Sequence, residues 1–167
     1  MNEDIVKRIG ELAEDGRDGA ADETEKTSWL VFSICGKKYA VRSCEVREII
    51  RAPAVYKLPF LPPYIEGVIN RRGDPFTVIN PLALIDSGSE AVPPEPLFLI
   101  LKRDDDQLSL HISDILFFHE IENTELHAIA NAEDNGIFLG TFEYKGEEIP
   151  AVNTDTFELI LQKDLGA

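Results

Sequence analysis

The residues that follow Trp29 alternate between two sides of an extended chain. Every second residue from Leu30 to Ile34 is large and apolar, a pattern typical of a half-buried β-strand. The segment 35–38, with the sequence CGKK, resembles a two-residue hairpin loop with glycine at the first central position, as a type II′ turn requires. This turn would pair Ile34 with Tyr39 and keep the large apolar side chains on one face. A β-hairpin is therefore predicted at the start of the folded region.

Different patterns follow in residues 44–63. Val46, Ile49 and Ile50 have helical spacing, so a short helix or turn that packs inward is predicted between Cys44 and Ile50. Prolines then exclude a regular helix and indicate an extended connection. These prolines are Pro53, Pro59, Pro62 and Pro63.

Strand patterns return in the rest of the chain, and polar turns separate them in pairs. The paired segments are 64–70 with 76–79, 97–101 with 108–112, and 137–144 with 148–152. In each pair, glycine or a run of charged residues lies between two apolar stretches, as expected for antiparallel hairpins. The chain is therefore predicted to be mostly β, with only short helices.

The second half of the chain repeats residues of the first half at an offset of 73 positions. Gly67 corresponds to Gly140 and Gly73 to Gly146, so the spacing between the glycines recurs. The other matches are Phe76 with Ile149, Val78-Ile79-Asn80 with Ala151-Val152-Asn153, and Leu84 with Phe157. A fixed offset over this many positions indicates an internal duplication. Two small β lobes are predicted, at about 29–85 and about 97–155, followed by a C-terminal turn or helix that returns to the core.

Residues 1–28 differ in composition from the rest of the chain. They contain nine acidic and four basic residues together with several glycines. Apolar residues between Ile5 and Leu12 have helical spacing, but a helix of this length is marginal in water unless something packs on it. We therefore predict a flexible acidic leader at 1–28 and a folded domain at 29–167.

The charge of the chain limits its partners. With 16 basic and 31 acidic residues the net charge is −15. Phosphate backbones repel such a surface, because nucleic-acid affinity depends on lysine and arginine. No apolar run approaches the roughly 20 residues that span a bilayer. A cytoplasmic protein is predicted, with no nucleic-acid partner and no direct membrane insertion.

The residue types that carry chemistry do not form a recognisable site. His111, His119 and His127 are evenly spaced by eight, but eight residues of a strand span about 26 Å, so three such side chains do not meet at one ion. Phosphate-binding glycine motifs and a nucleophile elbow are absent. Cys35 and Cys44 are predicted to be free thiols, because the hairpin register does not place them opposite each other. Neither an enzyme nor a metal or other cofactor is predicted.

Two adjacent arginines stand out in this acidic chain. Arg71 and Arg72 precede Gly73 in a polar turn, and Glu48 is the nearest plausible carboxylate across the lobe. We predict that Glu48 holds the guanidinium of Arg72, whereas Arg71 faces water. An arginine fork held by a carboxylate is a preorganised binding element.

These same segments resemble CheW, the adaptor family of bacterial chemotaxis arrays. The similarity is carried by YAV at 39–41, VREI at 46–49, the proline-containing connection, and GVINRRG at 67–73. It runs without a gap from 39 to about 80, and from 97 onward the layout is similar while the residues match less well. The leader lies outside it.

The resemblance implies two SH3-like five-stranded β-barrel lobes around a shared hydrophobic core. It also implies a non-catalytic adaptor, without a cofactor, that couples the cytoplasmic tips of methyl-accepting chemoreceptors to a CheA-type histidine kinase. In the family, receptor helices dock in the cleft between lobes, and the regulatory domain of the kinase meets a lobe end through apolar contacts. The partner-binding residues predicted on this basis are Val46, Glu48, Gly67, Asn70, Arg72 and Gly73.

Some positions depart from the family pattern. Thr77, Asn80, Pro81, Ile112 and Ser113 stand where the family usually has other residues. One alternative is therefore a divergent CheW-like scaffold that serves a chemosensory pathway unrelated to motility. A second alternative, from another class, is a small β-barrel module that binds a ligand.

Overall fold

A computed structural model of the protein describes residues 25–86, 89–104, 106–129 and 136–165. The flexible leader predicted for residues 1–28 lies almost entirely outside the described residues. Its C-terminal boundary was placed slightly too late, because the first strand already begins at Lys26.

The first hairpin consists of β1 (Lys26–Ile34) and β2 (Lys37–Arg42). Its register differs by two residues from the prediction, since Ile34 pairs with Lys37 and not with Tyr39. The turn residues are Cys35 at φ +48° and Gly36 at φ +84°. Two positive φ angles match a type I′ turn, so the predicted type II′ turn is wrong. A shift of two residues leaves each side chain on its predicted face, so the predicted apolar face is correct.

Residues 46–51 form a strand, β3 (Val46–Arg51), in place of the predicted helix. Only a short 3-10 helix, Ser43–Glu45, precedes it. The helical spacing was misleading because Ile49 is exposed, whereas the charged residue Glu48 is half-buried. An apolar residue on the exposed face and a charged residue on the buried face hide the alternating pattern by which a strand is recognised.

The remaining elements include the three other predicted hairpins, together with strands and a short helix that were not predicted. They are β4 (Val55–Tyr56), β5 (Ile65–Arg71), β6 (Asp74–Ile79), helix α1 (Pro81–Ile85), β7 (Leu97–Leu101), β8 (Leu108–Ile112), β9 (Asp114–Glu122), a 3-10 helix (Asn123–Glu125), β10 (Phe138–Tyr144), β11 (Glu147–Val152) and helix α2 (Thr154–Asp164). The mostly β fold class is confirmed. The described part of the chain contains no helix long and apolar enough to span a membrane.

The strands form two sheets that correspond strand for strand. Sheet A has the order β10-β11-β2-β1-β9, and sheet B has the order β3-β7-β8-β6-β5-β4. Apart from the two-residue strand β4, sheet B in reverse, β5-β6-β8-β7-β3, repeats the plan of sheet A. In both sheets one parallel pair joins strands from the two halves of the chain, β11 with β2 and β6 with β8.

The duplication is therefore visible in the structure, but the sheets do not coincide with the predicted ranges 29–85 and 97–155. The first hairpin of each half, β1–β2 or β7–β8, pairs with the later strands of the other half. This exchange was not predictable from alternating apolar residues, because alternation determines which face a side chain occupies and not which strand lies beside it.

The main core lies where the two sheets share their apolar faces. Alternate residues of β1 and β7 meet there, and α2 adds Phe157 and Leu161, so the predicted C-terminal element does return to the core. Each sheet also buries its opposite face in a smaller cluster. The cluster of sheet A includes Trp29 and Phe142, and that of sheet B includes Phe76. Strands with two buried faces are expected where a sheet curls around its own side chains.

Candidate partner-binding site

Glu48 in β3 and Arg71 at the end of β5 form an ion pair with two hydrogen bonds. Arg71 Nε donates to Glu48 Oε2 at 3.2 Å, and Arg71 Nη2 donates to Glu48 Oε1. These bonds hold the pKa of the Glu48 carboxyl below its ordinary value and raise the pKa of the Arg71 guanidinium. The predicted fork on Glu48 exists, but Arg71 supplies it and not Arg72.

The position of the turn explains this exchange of roles. Arg71 is the last residue of β5, whereas Arg72 has φ +53° and Gly73 has φ +89°. Arg72 therefore lies in the turn, outside the strand, and is exposed. The orientation of its side chain depends on the turn conformation and not on the sheet. The side-chain oxygen of Asn70 accepts a hydrogen bond from the Gly73 N–H at 2.9 Å and braces the turn. The prediction that Arg71 faces water was wrong.

Gly67 has a structural role at the other end of β5. A Cβ on Gly67 would lie 2.3 Å from the carbonyl oxygen of Tyr56, and the residue has φ +150°. Only glycine allows β4 to approach this closely. Gly140 repeats this contact, since a Cβ there would lie 2.5 Å from the carbonyl oxygen of His127. Two glycines 73 positions apart thus permit equivalent close contacts with a neighbouring backbone segment.

The structure brings only part of the predicted set together. Asn70, Arg72 and Gly73 share the turn, and Glu48 reaches it through Arg71. Gly67 lies three residues before Asn70 on β5, about 10 Å away at the rise of an extended chain. Val46 is half-buried and packs against the main core. Gly67 and Val46 therefore shape the lobe and do not lie at the turn.

The Glu48–Arg71 pair shows that sheet B curls. Three strands separate β3 from β5 in the sheet order. A flat sheet would hold these two strands about 19 Å apart, at about 4.8 Å per step. Hydrogen-bonded side chains on β3 and β5 therefore require the ends of the sheet to meet. We call the line where they meet the seam of sheet B.

Sheet A has an equivalent seam with different residues. Its two edge strands, β9 and β10, meet where the rings of Phe117 and Tyr144 lie 4.4 Å apart, and His119 lies 4.7 Å from Tyr144. Tyr144 is 73 positions after Arg71. An ion pair closes one seam, and aromatic rings in tilted and edge-on contact close the other.

Register shifts confirm which residues of β3 and β9 correspond. In β3 the pairing with β7 skips Arg47, and in β9 the pairing with β1 skips Leu116. Glu48 and Phe117 each come directly after the skipped residue. These two seam residues therefore occupy equivalent places in their sheets.

The outer sides of β3 and β9 carry contrasting side chains. The exposed row of β3 is basic and apolar, and the exposed row of β9 is apolar and acidic. These rows consist of Arg47, Ile49 and Arg51 in β3, and of Leu116, Phe118 and Glu120 in β9. Residues 37–72 hold eight of the 16 basic residues and three of the 31 acidic ones, so the basic row lies in a basic part of an acidic chain. Sequence reasoning missed both rows, although an apolar residue between charges at period two could have indicated them.

Residue types for metal binding do not assemble in the structure. Among residues 25–86, 89–104, 106–129 and 136–165, no three His, Cys, Asp or Glu side chains are arranged to hold a metal ion. Cys35 and Cys44 are exposed free thiols.

Comparisons with known proteins agree with this architecture. The model of the CheW-like domain family matches residues 28–160. The crystal structure of the scaffolding protein TtCheW from Thermoanaerobacter tengcongensis is similar, with a TM-score of 0.69 and 19% sequence identity over 77% of this chain and 90% of that chain. No curated protein matches the sequence. The family match covers most of the chain, and the chain therefore belongs to the CheW-like domain family.

Proposed function

We propose that this protein is a non-catalytic adaptor of bacterial chemosensory signalling that couples the cytoplasmic tips of chemoreceptors to a CheA-type histidine kinase. Membership of a family that includes a scaffolding protein supports this proposal. The observation that carries it is the contrast between the exposed rows of β3 and β9. Two chemically different surfaces on one small β protein are suited to two different partners.

The receptor would contact the turn surface, which we define as Glu48, Asn70, Arg71, Arg72 and Gly73. The ion pair keeps the Arg71 guanidinium on Glu48, and the Asn70 bond keeps the turn in shape. Arg72 remains exposed and able to offer its planar guanidinium to a carboxylate of the partner. The basic row of β3 would extend this surface.

The kinase would contact the outer side of β9. Phe118 is 64% exposed and Leu116 is 37% exposed. Large apolar side chains in neighbouring outward positions are typical of a surface that another protein covers. Asp114 and Glu120 flank them and would favour a partner with basic residues at the rim.

The direct test is assembly from purified components. A receptor-tip fragment and the regulatory domain of the kinase from the same organism are mixed with the full chain, and mass is measured by size-exclusion chromatography with light scattering. We expect one complex that contains all three proteins, since the two proposed surfaces are on different sheets. Failure to bind either fragment, or binding of one only when the other is absent, would contradict a coupling function.

A further inference from the structure

His111 in β8 is held on both ring nitrogens by hydrogen-bond acceptors. Its Nδ1 lies 2.7 Å from Glu66 Oε2, and its Nε2 lies 2.7 Å from the carbonyl oxygen of Glu95. The side chain is only 8% exposed. Its ring stacks on Phe98 of β7, with ring centroids 4.5 Å apart. No part of the proposed adaptor function uses this arrangement.

Two acceptors on one imidazole determine how many protons the site contains. A neutral imidazole carries one N–H and can donate to only one of its two neighbours. The other nitrogen would then direct its lone pair at an oxygen 2.7 Å away, in a place with little access for water. Both bonds exist together only when the His111–Glu66 pair holds one additional proton. Loss of that proton breaks one bond and leaves a buried polar group unpaired, which is costly.

The charges that face the ring favour this proton. Burial acts to lower the pKa of His111, but the bonds to the Glu66 carboxylate and the Glu95 carbonyl, with the negative charges of both residues, raise it above its ordinary value. Glu66 comes from β5 and Glu95 from the connection that leads to β7, whereas the stacked residue of β7, Phe98, is uncharged.

The connection that His111 holds lies between the two halves of the chain. We call residues 94–96 the strap. The strap is fixed to β8 by the bond from His111 to Glu95 and to the end of β3 by the bond from the Ala52 N–H to the Pro96 carbonyl, at 2.7 Å. It also lines a crevice of about 870 Å³. The crevice includes residues of the β1–β2 turn and of the β8–β9 junction, and thus elements of both sheets.

We propose that His111 is a proton-dependent clasp that fastens the strap to sheet B and releases it as pH rises. With the proton bound, the strap is attached at both Glu95 and Pro96. Without it, the bond to Glu95 or the bond to Glu66 is lost, and the strap is attached mainly through Pro96. The crevice between the sheets then widens, so the pH inside the cell adjusts a surface that belongs to both lobes.

The direction of the effect follows from the raised pKa. The folded protein binds this proton more tightly than the unfolded chain does, whose histidines titrate at about 6.5. The stabilisation by His111 is therefore complete below about pH 6.5 and disappears as pH rises through the folded value.

The test is nuclear magnetic resonance on the full chain between pH 5.5 and 8.5. Imidazole ¹⁵N shifts report the titration of His111, and amide hydrogen exchange reports the attachment of the strap. The amides that report on the strap are those of Ala52, which donates to the Pro96 carbonyl, and of Leu97, which donates to the Glu95 carbonyl at 3.0 Å. We expect His111 to titrate above about 6.5, and the protection of these two amides to fall by about tenfold across that titration after correction for base catalysis. Titration at or below 6.5, or constant protection, would overturn the clasp.

Variants distinguish the effect of losing the proton from the effect of disturbing the fold. Glu66→Gln keeps an acceptor for His111 but removes the charge, so both the titration and the loss of protection should move to lower pH together. His111→Phe keeps the stacking on Phe98 and should leave the strap unprotected at every pH. If the midpoint of the His111 titration moves in Glu66→Gln but the pH at which protection is lost does not, the clasp is overturned. This result is decisive even if His111→Phe fails to fold. His119→Gln, a control in sheet A, should change neither.

Discussion

At the seam of sheet B, Glu48 and Arg71 join β3 to β5 through an ion pair, whereas at the seam of sheet A, Phe117 and Tyr144 join β9 to β10 through a contact between tilted aromatic rings. The strand order, the skipped residue and the glycine that admits a close approach are the same in both sheets. The residues that define the backbone have thus been kept through the duplication, while the seam residues have diverged.

This difference shows how the same strand arrangement can contribute to stability in one sheet and to partner binding in the other. Aromatic rings in contact bury apolar area and stabilise the lobe. A partly exposed ion pair contributes little to stability, but it fixes the orientation of a guanidinium beside the turn. We infer that the seam of sheet A mainly holds its lobe together, and that the seam of sheet B mainly presents charge to a partner.

The largest expected effect comes from Gly67→Ala. The new Cβ would lie 2.3 Å from the Tyr56 carbonyl oxygen at φ +150°, whereas in Gly140→Ala the corresponding distance is 2.5 Å to His127 without a positive φ. We expect the free energy of unfolding to fall by roughly 3–5 kcal/mol for Gly67→Ala and by roughly 1–3 kcal/mol for Gly140→Ala.

Chemical denaturation measures both values. Gly146→Ala is the control, because nothing lies within 4 Å of its new Cβ and only the φ of +80° is unfavourable. A larger loss for Gly140→Ala than for Gly67→Ala would contradict the ranking that the shorter distance and the positive φ at Gly67 predict.

The seams should differ in their contribution to stability. Phe117→Ala removes a half-buried ring from its contact with Tyr144 and should lower the free energy of unfolding by about 2 kcal/mol, less than the roughly 3–5 kcal/mol of a fully buried phenylalanine. Glu48→Gln should leave the melting temperature nearly unchanged, since exposed ion pairs contribute little. Thermal melts at neutral pH test this, and a larger loss for Glu48→Gln would reverse the roles of the two seams.

The smallest expected effect is the titration of Glu48. Because its folded pKa is lowered, the contribution of the ion pair is present above the unfolded value of about 4.3 and is lost as pH falls through the folded value. The carboxyl ¹³C shift of Glu48 should therefore titrate below about 4.3, and Arg71→Ala should return it toward the ordinary value. An unchanged midpoint in Arg71→Ala would contradict the ion pair, and Arg72→Ala is the matched comparison.

Much of the fold could be predicted because backbone rules are local. The alternation of apolar residues correctly predicts which side chains of β1 face the main core, and the repeated glycines indicate the duplication. The type of turn could also have been read correctly. Among the described residues, three X-Gly hairpin turns have two positive φ angles, with glycine second; the pairs are Cys35-Gly36, Arg72-Gly73 and Lys145-Gly146.

Contacts between distant strands could not be predicted in the same way. The exchange of hairpins between halves depends on which strands pair, and alternation carries no information on that point. The fork on Glu48 was assigned to Arg72 because Arg72 adjoins the turn glycine, yet the last strand residue, Arg71, is the one that reaches across the seam. The exposed rows became visible only once β3 and β9 were known to be equivalent edge strands.

The central claim is that the two sheets bind different partners, and affinities of matched variants test it most directly. Dissociation constants for a receptor-tip fragment and for the kinase regulatory domain are measured with Arg72→Ala and Phe118→Ala. Lys145→Ala is the control at the equivalent turn, and Ile49→Ala, which removes an exposed apolar residue from the receptor-facing row of β3, is the control for kinase binding only. We predict that Arg72→Ala weakens receptor binding by about tenfold, or about 1.4 kcal/mol, and leaves kinase binding unchanged. Phe118→Ala should weaken kinase binding by a similar factor and leave receptor binding unchanged. Lys145→Ala should affect neither affinity. Loss of the same partner in both variants, or unchanged binding in both, would contradict the account.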